Sequence, residues 1–220
     1  TIKDEIISKI KMAASANLLK LKAKSINIEP YELADNVVAI GASTGGPQAL
    51  TYVLTSLPSN VPPILIVQHM PEGFTKSFAE RLNELCKFKV KEAEEGDYVS
   101  EGLALIAPGG FHMRVSKTGR IKLDRTPPIH GVRPAVDPMM ISVANFYESK
   151  AIGVILTGMG RDGAYGMKKI KEHGGITIAQ DKKTSVVFGM PKAAIEEGCV
   201  DIVLPLHKIP IEIMRRCKKK

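Results

Sequence analysis

The 220-residue sequence predicts an α/β domain: a doubly wound, mostly parallel sheet with helices on both faces and an antiparallel hairpin. Two observations predict it. From Asn36 onward, short apolar, β-branched runs alternate with segments of helical periodicity. Three of those runs also end in turn-forming segments that lead into helical ones. Val37-Val38-Ala39-Ile40 precedes Gly41-Ala42-Ser43-Thr44-Gly45-Gly46. Ile64-Leu65-Ile66-Val67 precedes Gln68-His69-Met70-Pro71. Ile152-Gly153-Val154-Ile155-Leu156 precedes Thr157-Gly158-Met159-Gly160-Arg161-Asp162-Gly163.

The elements follow in order. Over residues 1–34, Ile2, Ile6, Ile7, Ile10, Ala14, Leu18 and Leu21 recur near helical spacing with lysines between them, which predicts an amphipathic helix. A break follows over 25–30, because Pro30 restricts the residue before it. Residues 1–35 thus read as a linker helix and connection, 36–210 as the main domain, and 211–220 as a basic tail. The first residue is Thr, and the expectation is a piece of a longer protein. The strand at 37–40 leads to a helix over 47–57 with Pro47 in its first turn. The strand at 64–67 leads to a helix over 74–85, striped by Phe74, Phe78, Leu82 and Leu85. A strand at 103–107 stops at Pro108-Gly109-Gly110, and 111–115 with 120–123 form a hairpin around Lys117-Thr118-Gly119. A helix over 138–147, a strand over 152–156, and a helix over 164–173 capped by Gly174-Gly175 come next. Strand 176–179, helix 191–197 and strand 200–204 complete the alternation.

Composition narrows the class. Hydrophobic residues make up 44% and charged ones 25%, ordinary for a soluble globular protein. No apolar stretch has the length of a membrane span, and no secretory h-region opens the chain. Cys86, Cys199 and Cys217 lack metal spacing and read as reduced thiols of a cytoplasmic protein, so neither metal nor cofactor is inferred. The net charge of +8 comes partly from Arg215-Arg216-Cys217-Lys218-Lys219-Lys220 and from lysines before residue 25. It reads either as a solvated, frayed tail or as attraction to an acidic partner. Nucleic-acid binding is not supported: Trp is absent and no basic stretch is interleaved with stacking residues.

The chemistry concentrates in three residues. Ser43, His69 and Asp162 each sit just past the end of a strand, at the edge where open α/β sheets build their sites. They are the side chains that nucleophilic acyl transfer needs. Each alone has a blander reading: a tight turn at Ser43, a loop histidine, an Asp that forms a turn or caps a helix. The chain order Ser, His, Asp matches none of three familiar triad orders and disfavours a standard α/β-hydrolase. A rival reading makes 41–46 an anion-binding turn at a helix N-terminus. Against it, Gly-Lys-Ser/Thr and a full Gly-x-Gly-x-x-Gly are both missing. Elsewhere, His112 reads as structural or surface, His173 as a helix-end residue, and Asp181 as a turn former. His130 lies in a Pro-rich loop, and Arg133 and Asp137 either frame the site or pair across a turn.

Six stretches, in order over about residues 37–205, resemble the catalytic domain of the chemotaxis protein-glutamate methylesterases. They are Ile40-Gly41-Ala42-Ser43-Thr44-Gly45-Gly46-Pro47, Gln68-His69-Met70-Pro71, Ala107-Pro108-Gly109-Gly110, Arg133-Pro134-Ala135-Val136-Asp137, Leu156-Thr157-Gly158-Met159-Gly160-Arg161-Asp162-Gly163-Ala164, and Ala179-Gln180-Asp181 with Val187-Phe188-Gly189-Met190-Pro191. Ala135 departs from the Ser the family often has. The resemblance implies Ser43 as nucleophile, His69 as general base and acid, and Asp162 as the residue orienting His69. Thr44 and Met159 would shape the site, the Met159 N–H as oxyanion donor. It implies γ-glutamyl methyl esters of chemoreceptors as substrates, with methanol released, and deamidation of receptor glutamines. Full-length members carry a receiver domain, phosphorylated by a phosphodonor kinase, that restrains the catalytic domain. No acidic phosphoacceptor pocket is legible before Asn36, so the chain reads as catalytic domain plus linker.

Overall fold

The structure is a computed structural model that describes Ile28 and residues 31–219. The amphipathic helix expected over residues 2–21 lies outside the described residues. The main sheet has seven strands, in the order β3-β4-β2-β1-β7-β8-β9. These are β1 (Val37–Ala42), β2 (Ile64–Gln68), β3 (Lys89–Glu92), β4 (Leu103–Ile106), β7 (Ala151–Ile155), β8 (Ile176–Gln180) and β9 (Ile202–Leu204). Every pairing in it is parallel. The hairpin stands apart, as an antiparallel pair of β5 (His112–Val115) and β6 (Ile121–Asp124).

The central strands β1, β2 and β7 are buried at every position, which is why their sequences are continuous apolar runs. One face is covered by α1 (Gly46–Thr55), α2 (Phe74–Leu85) and α6 (Ile209–Cys217). Leu50, Leu54, Leu82, Ile213 and Met214 meet Ile40, Ile66 and Val154 there. The other face is covered by α3 (Val136–Tyr147), α4 (Ala164–Glu172), α5 (Met190–Glu196) and the hairpin. Met139, Met140, Met167 and Ile170 meet Ala39, Leu65 and Ile155 there.

Three departures from the sequence reading have physical causes. Edge strand β3 is only Lys-Val-Lys-Glu, with Val90 alone fully buried, so it carries no apolar run to detect. Helix α3 starts at Val136, two residues before the expected start at Pro138, because Pro is tolerated throughout a helix's first turn. The segment 211–220, expected as a solvated, frayed tail, largely belongs to α6, whose Ile213, Met214 and Cys217 are buried. Its basic residues face outward, and Arg215 and Arg216 both bond Glu212. The Ala34 N–H donates to the Cys217 carbonyl at 2.7 Å, tying the start of the described chain to this helix.

The strand order reverses between β1 and β7. From β1 the chain moves outward through β2, and from β7 it moves the other way through β8 and β9. Such a reversal opens a crevice at the carboxyl ends of the two strands.

Candidate active site

The sheet register brings the three expected residues to that crevice. Ala42 pairs with Gln68, so Ser43 and His69 are the next step beyond the two strands. The His69 N–H donates to the Ala42 carbonyl at 3.1 Å. On the other side, the Ser43 N–H donates to the Thr157 carbonyl at 3.0 Å, which places Ser43 against the turn carrying Asp162. Approach here is tight: a Cβ on Gly158 would lie 2.8 Å from Ser43 Cβ and 2.3 Å from Met190 Sδ. The turns that follow β1 and β7 each end in a glycine with left-handed backbone, Gly45 (φ 78°) and Gly163 (φ 91°), immediately before the helix. Only a residue without Cβ takes that conformation cheaply.

His69 Nε2 lies 2.7 Å from Asp162 Oδ2, with the His69 side chain 11% and the Asp162 side chain 2% exposed. A carboxylate only accepts, so Nε2 carries the shared proton and neutral His69 keeps Nδ1 as its free acceptor. Two consecutive amides at the start of α3 also hold Asp162. The Val136 N–H donates to Oδ2 at 2.6 Å and the Asp137 N–H to Oδ1 at 3.0 Å. Burial by itself would push the Asp162 carboxyl up. The His69 bond, the two amides and the His69 charge outweigh it and hold the carboxyl below its ordinary value, so Asp162 is an anion near neutral pH.

Ser43 Oγ makes no hydrogen bond to the His69 ring among the described residues. The His69–Asp162 half of the expected arrangement is therefore bonded, and the Ser43 half is set by backbone register. Catalytic contacts are often loose without substrate.

The surrounding polar groups stiffen the crevice. Thr157 Oγ1 has one proton to share between the carbonyls of Thr44 (2.9 Å) and Val187 (3.2 Å), and it accepts from the Val187 N–H (2.9 Å). Gln68 Nε2 donates to the carbonyls of Ser43 and His69. Among the described residues, the N–H groups of Thr44 and Met159 donate to no backbone carbonyl.

Sequence reasoning did not foresee the roles of Gln68, Thr157 and the α3 amides, since buried hydrogen bonds of this kind leave no periodic signal. His112 is buried inside the hairpin, where Nδ1 accepts the Ala135 N–H and Nε2 donates to the Pro127 carbonyl. Arg133 bonds the carbonyls of Arg125 and Thr126, framing the loop before α3, while Asp137 touches the Asp162 turn directly. His130, Asp137 and Asp162 bring one ligand-type atom each within 4.8 Å of one another. The two carboxylates spend those positions on amide and imidazole bonds, so the cluster is a hydrogen-bond network. Among the described residues, no helix is long and apolar enough to cross a membrane.

A sequence model of the CheB methylesterase family matches residues 38–213. This chain belongs to the CheB methylesterase family. A Pyrococcus abyssi protein named protein-glutamate methylesterase/protein-glutamine glutaminase is 53% identical over 228 residues, covering 97% of this chain and 62% of its own length. A Sulfurimonas denitrificans protein of the same name is 49% identical, over 96% of this chain and 64% of its length. The chain therefore spans somewhat less than two thirds of these relatives. The crystal structure of the Thermotoga maritima CheB methylesterase catalytic domain is 50% identical and superposes with a TM-score of 0.80, over 83% of this chain and 99% of that one. The resemblance read from the six sequence stretches and the α/β fold expected from the strand–helix alternation are both borne out.

Proposed function

We propose that this domain hydrolyses γ-glutamyl methyl esters on chemoreceptors, releasing methanol, and deamidates receptor glutamines by the same route. The observation that carries this reading is the 2.7 Å bond between His69 Nε2 and Asp162 Oδ2 at the sheet edge that also holds Ser43. Family membership and the names of the relatives support the substrate class.

The chemistry follows from the groups present. A serine hydroxyl is a poor nucleophile near neutral pH and needs a base. After rotation of its side chain toward the ring, Ser43 Oγ attacks the ester carbonyl as its proton passes to His69 Nδ1. Asp162 holds the imidazole in the tautomer with Nε2–H and stabilises the imidazolium that forms. The amides of Thr44 and Met159 bind the tetrahedral oxygen, and one such donor is worth about 3 kcal/mol. Collapse of the intermediate expels methanol, which takes the proton from Nδ1 and leaves a γ-glutamyl ester on Ser43. Water attacks that ester with His69 again as base, and the glutamate carboxylate and free Ser43 result. With a glutamine substrate the leaving group is ammonia.

The receptor sites, a cytoplasmic location, and restraint by a receiver domain under a phosphodonor kinase belong to the same proposal. They rest on the family resemblance. Treatment with a serine-directed phosphonate ester tests it. Covalent modification of Ser43 together with loss of methanol release from methylated receptor supports the hydrolase. Nucleotide or phosphate binding without modification of Ser43 would overturn it in favour of an anion-binding module.

A further inference from the structure

Helices α3 and α4 begin beside each other, and an acid at the start of each accepts backbone amides at the start of the other. Asp162, before α4, accepts the Val136 and Asp137 amides of α3. Asp137, in α3, accepts the amides of Gly163 (3.0 Å) and Gly166 (2.7 Å) through Oδ1. Two buried carboxylates thus sit back to back. The second has its own histidine: His130 Nε2 lies 3.1 Å from Asp137 Oδ2, with the His130 side chain 40% exposed and that of Asp137 only 7%.

The groups facing this pair are few. His130 approaches Asp137 from the loop before α3, Asp162 from the turn before α4, and His69 faces Asp162 from the turn after β2. No other charged side chain bonds either carboxylate among the described residues. We propose that Asp137 and His130 form a positioning pair for the hydrolytic site: Asp137 fixes the Asp162 turn, and the charge state of the pair sets the pH at which His69 becomes a usable base. This rests on the reading of Ser43, His69 and Asp162 as that site. Burial and the neighbouring Asp162 charge push the Asp137 carboxyl up from its ordinary value, and the Gly166 amide and His130 offset part of that rise.

The signs are fixed by Coulomb's law. An uncompensated anion at Asp137 favours imidazolium at His69, and a protonated His130 cancels that anion. Asp137→Asn keeps an oxygen for the Gly163 and Gly166 amides but removes the charge. His130→Asn removes the imidazole that faces Asp137, at a residue with φ 52°, a conformation Asn tolerates.

The test is the acid limb of kcat/KM for ester hydrolysis, beside the NMR titration of the His69 ring in the same proteins. Asp137→Asn should move both to lower pH and His130→Asn to higher pH, each by about half a pH unit or more. Opposite shifts are not a property of a merely structural pair. A parent-like midpoint in either folded variant, or shifts of one sign, overturns the proposal. If Asp137→Asn does not fold, the His130→Asn result alone decides. The NMR arm needs no catalysis, so failure of the hydrolase reading would leave this outcome separately legible.

Discussion

Asp137 donates its own N–H to Asp162 Oδ1 at 3.0 Å, and its Oδ1 accepts the N–H of Gly163, the residue after Asp162, also at 3.0 Å. Each acid thus fixes the backbone that presents the other. The His69 partner is held by two amides of a packed helix as well as by His69 itself, which limits how far it can drift.

Removing members of one catalytic unit is not additive. Ser43→Ala and His69→Ala should each remove nearly all ester hydrolysis, and the double variant should be little worse than either. Methanol release from methylated receptor measures this. A Ser43→Ala protein near the parent rate would refute the nucleophile.

Replacement of Gly163 with Ala should destabilise the domain by about 1–3 kcal/mol, because the residue is left-handed. Its new Cβ would also lie 2.6 Å from Ile155 Cδ1 and 2.9 Å from Val136 Cγ1. Urea denaturation gives the stability change. The rate should fall further than stability explains, since the same turn carries Asp162.

Thr157→Val keeps the shape of a buried side chain and deletes an oxygen that donates one shared proton to backbone carbonyls and accepts the Val187 N–H. The expected cost is about 1–3 kcal/mol. The amides of Thr44 and Met159 flank this clamp, so kcat should fall more than KM rises. Steady-state kinetics on a soluble ester separates the two parameters.

Strong acid should weaken the hairpin. Burial would raise the Asp124 carboxyl. Its bonds to Thr126 and to Arg114 instead hold it down at about 2, against an ordinary 3.8. A depressed carboxyl contributes stability that is present above its unfolded value and lost as pH falls through the folded one. The window is therefore between about pH 4 and 2. Asp124→Asn should flatten the loss of stability across that range in denaturant titrations, and an unchanged slope would exclude this contribution.

Truncation after residue 210 separates a core helix from a solvated tail. Ile213→Ala alone should cost about 2–5 kcal/mol, since Ile213 is fully buried. Thermal denaturation of both proteins measures the effect.

The sequence by itself determined the parallel sheet, the strand-to-helix turns and the residues at their ends. Continuous apolar runs such as Ile64-Leu65-Ile66-Val67 and left-handed glycines such as Gly163 are local signals, fixed by burial on both faces and by the steric freedom of glycine. Strand β3 and helix α6 were not legible, because an edge strand needs only one buried residue and a basic amphipathic helix reads as a charged tail until its core is seen. Only the tertiary structure decided that the chain reverses between β1 and β7, so that His69 meets Asp162 across 93 residues of sequence. It also decided that α3 starts at Val136 and aims two amides at Asp162. These contacts join groups distant in the chain, and their geometry is set by how two helices pack on one sheet face, which no local pattern records.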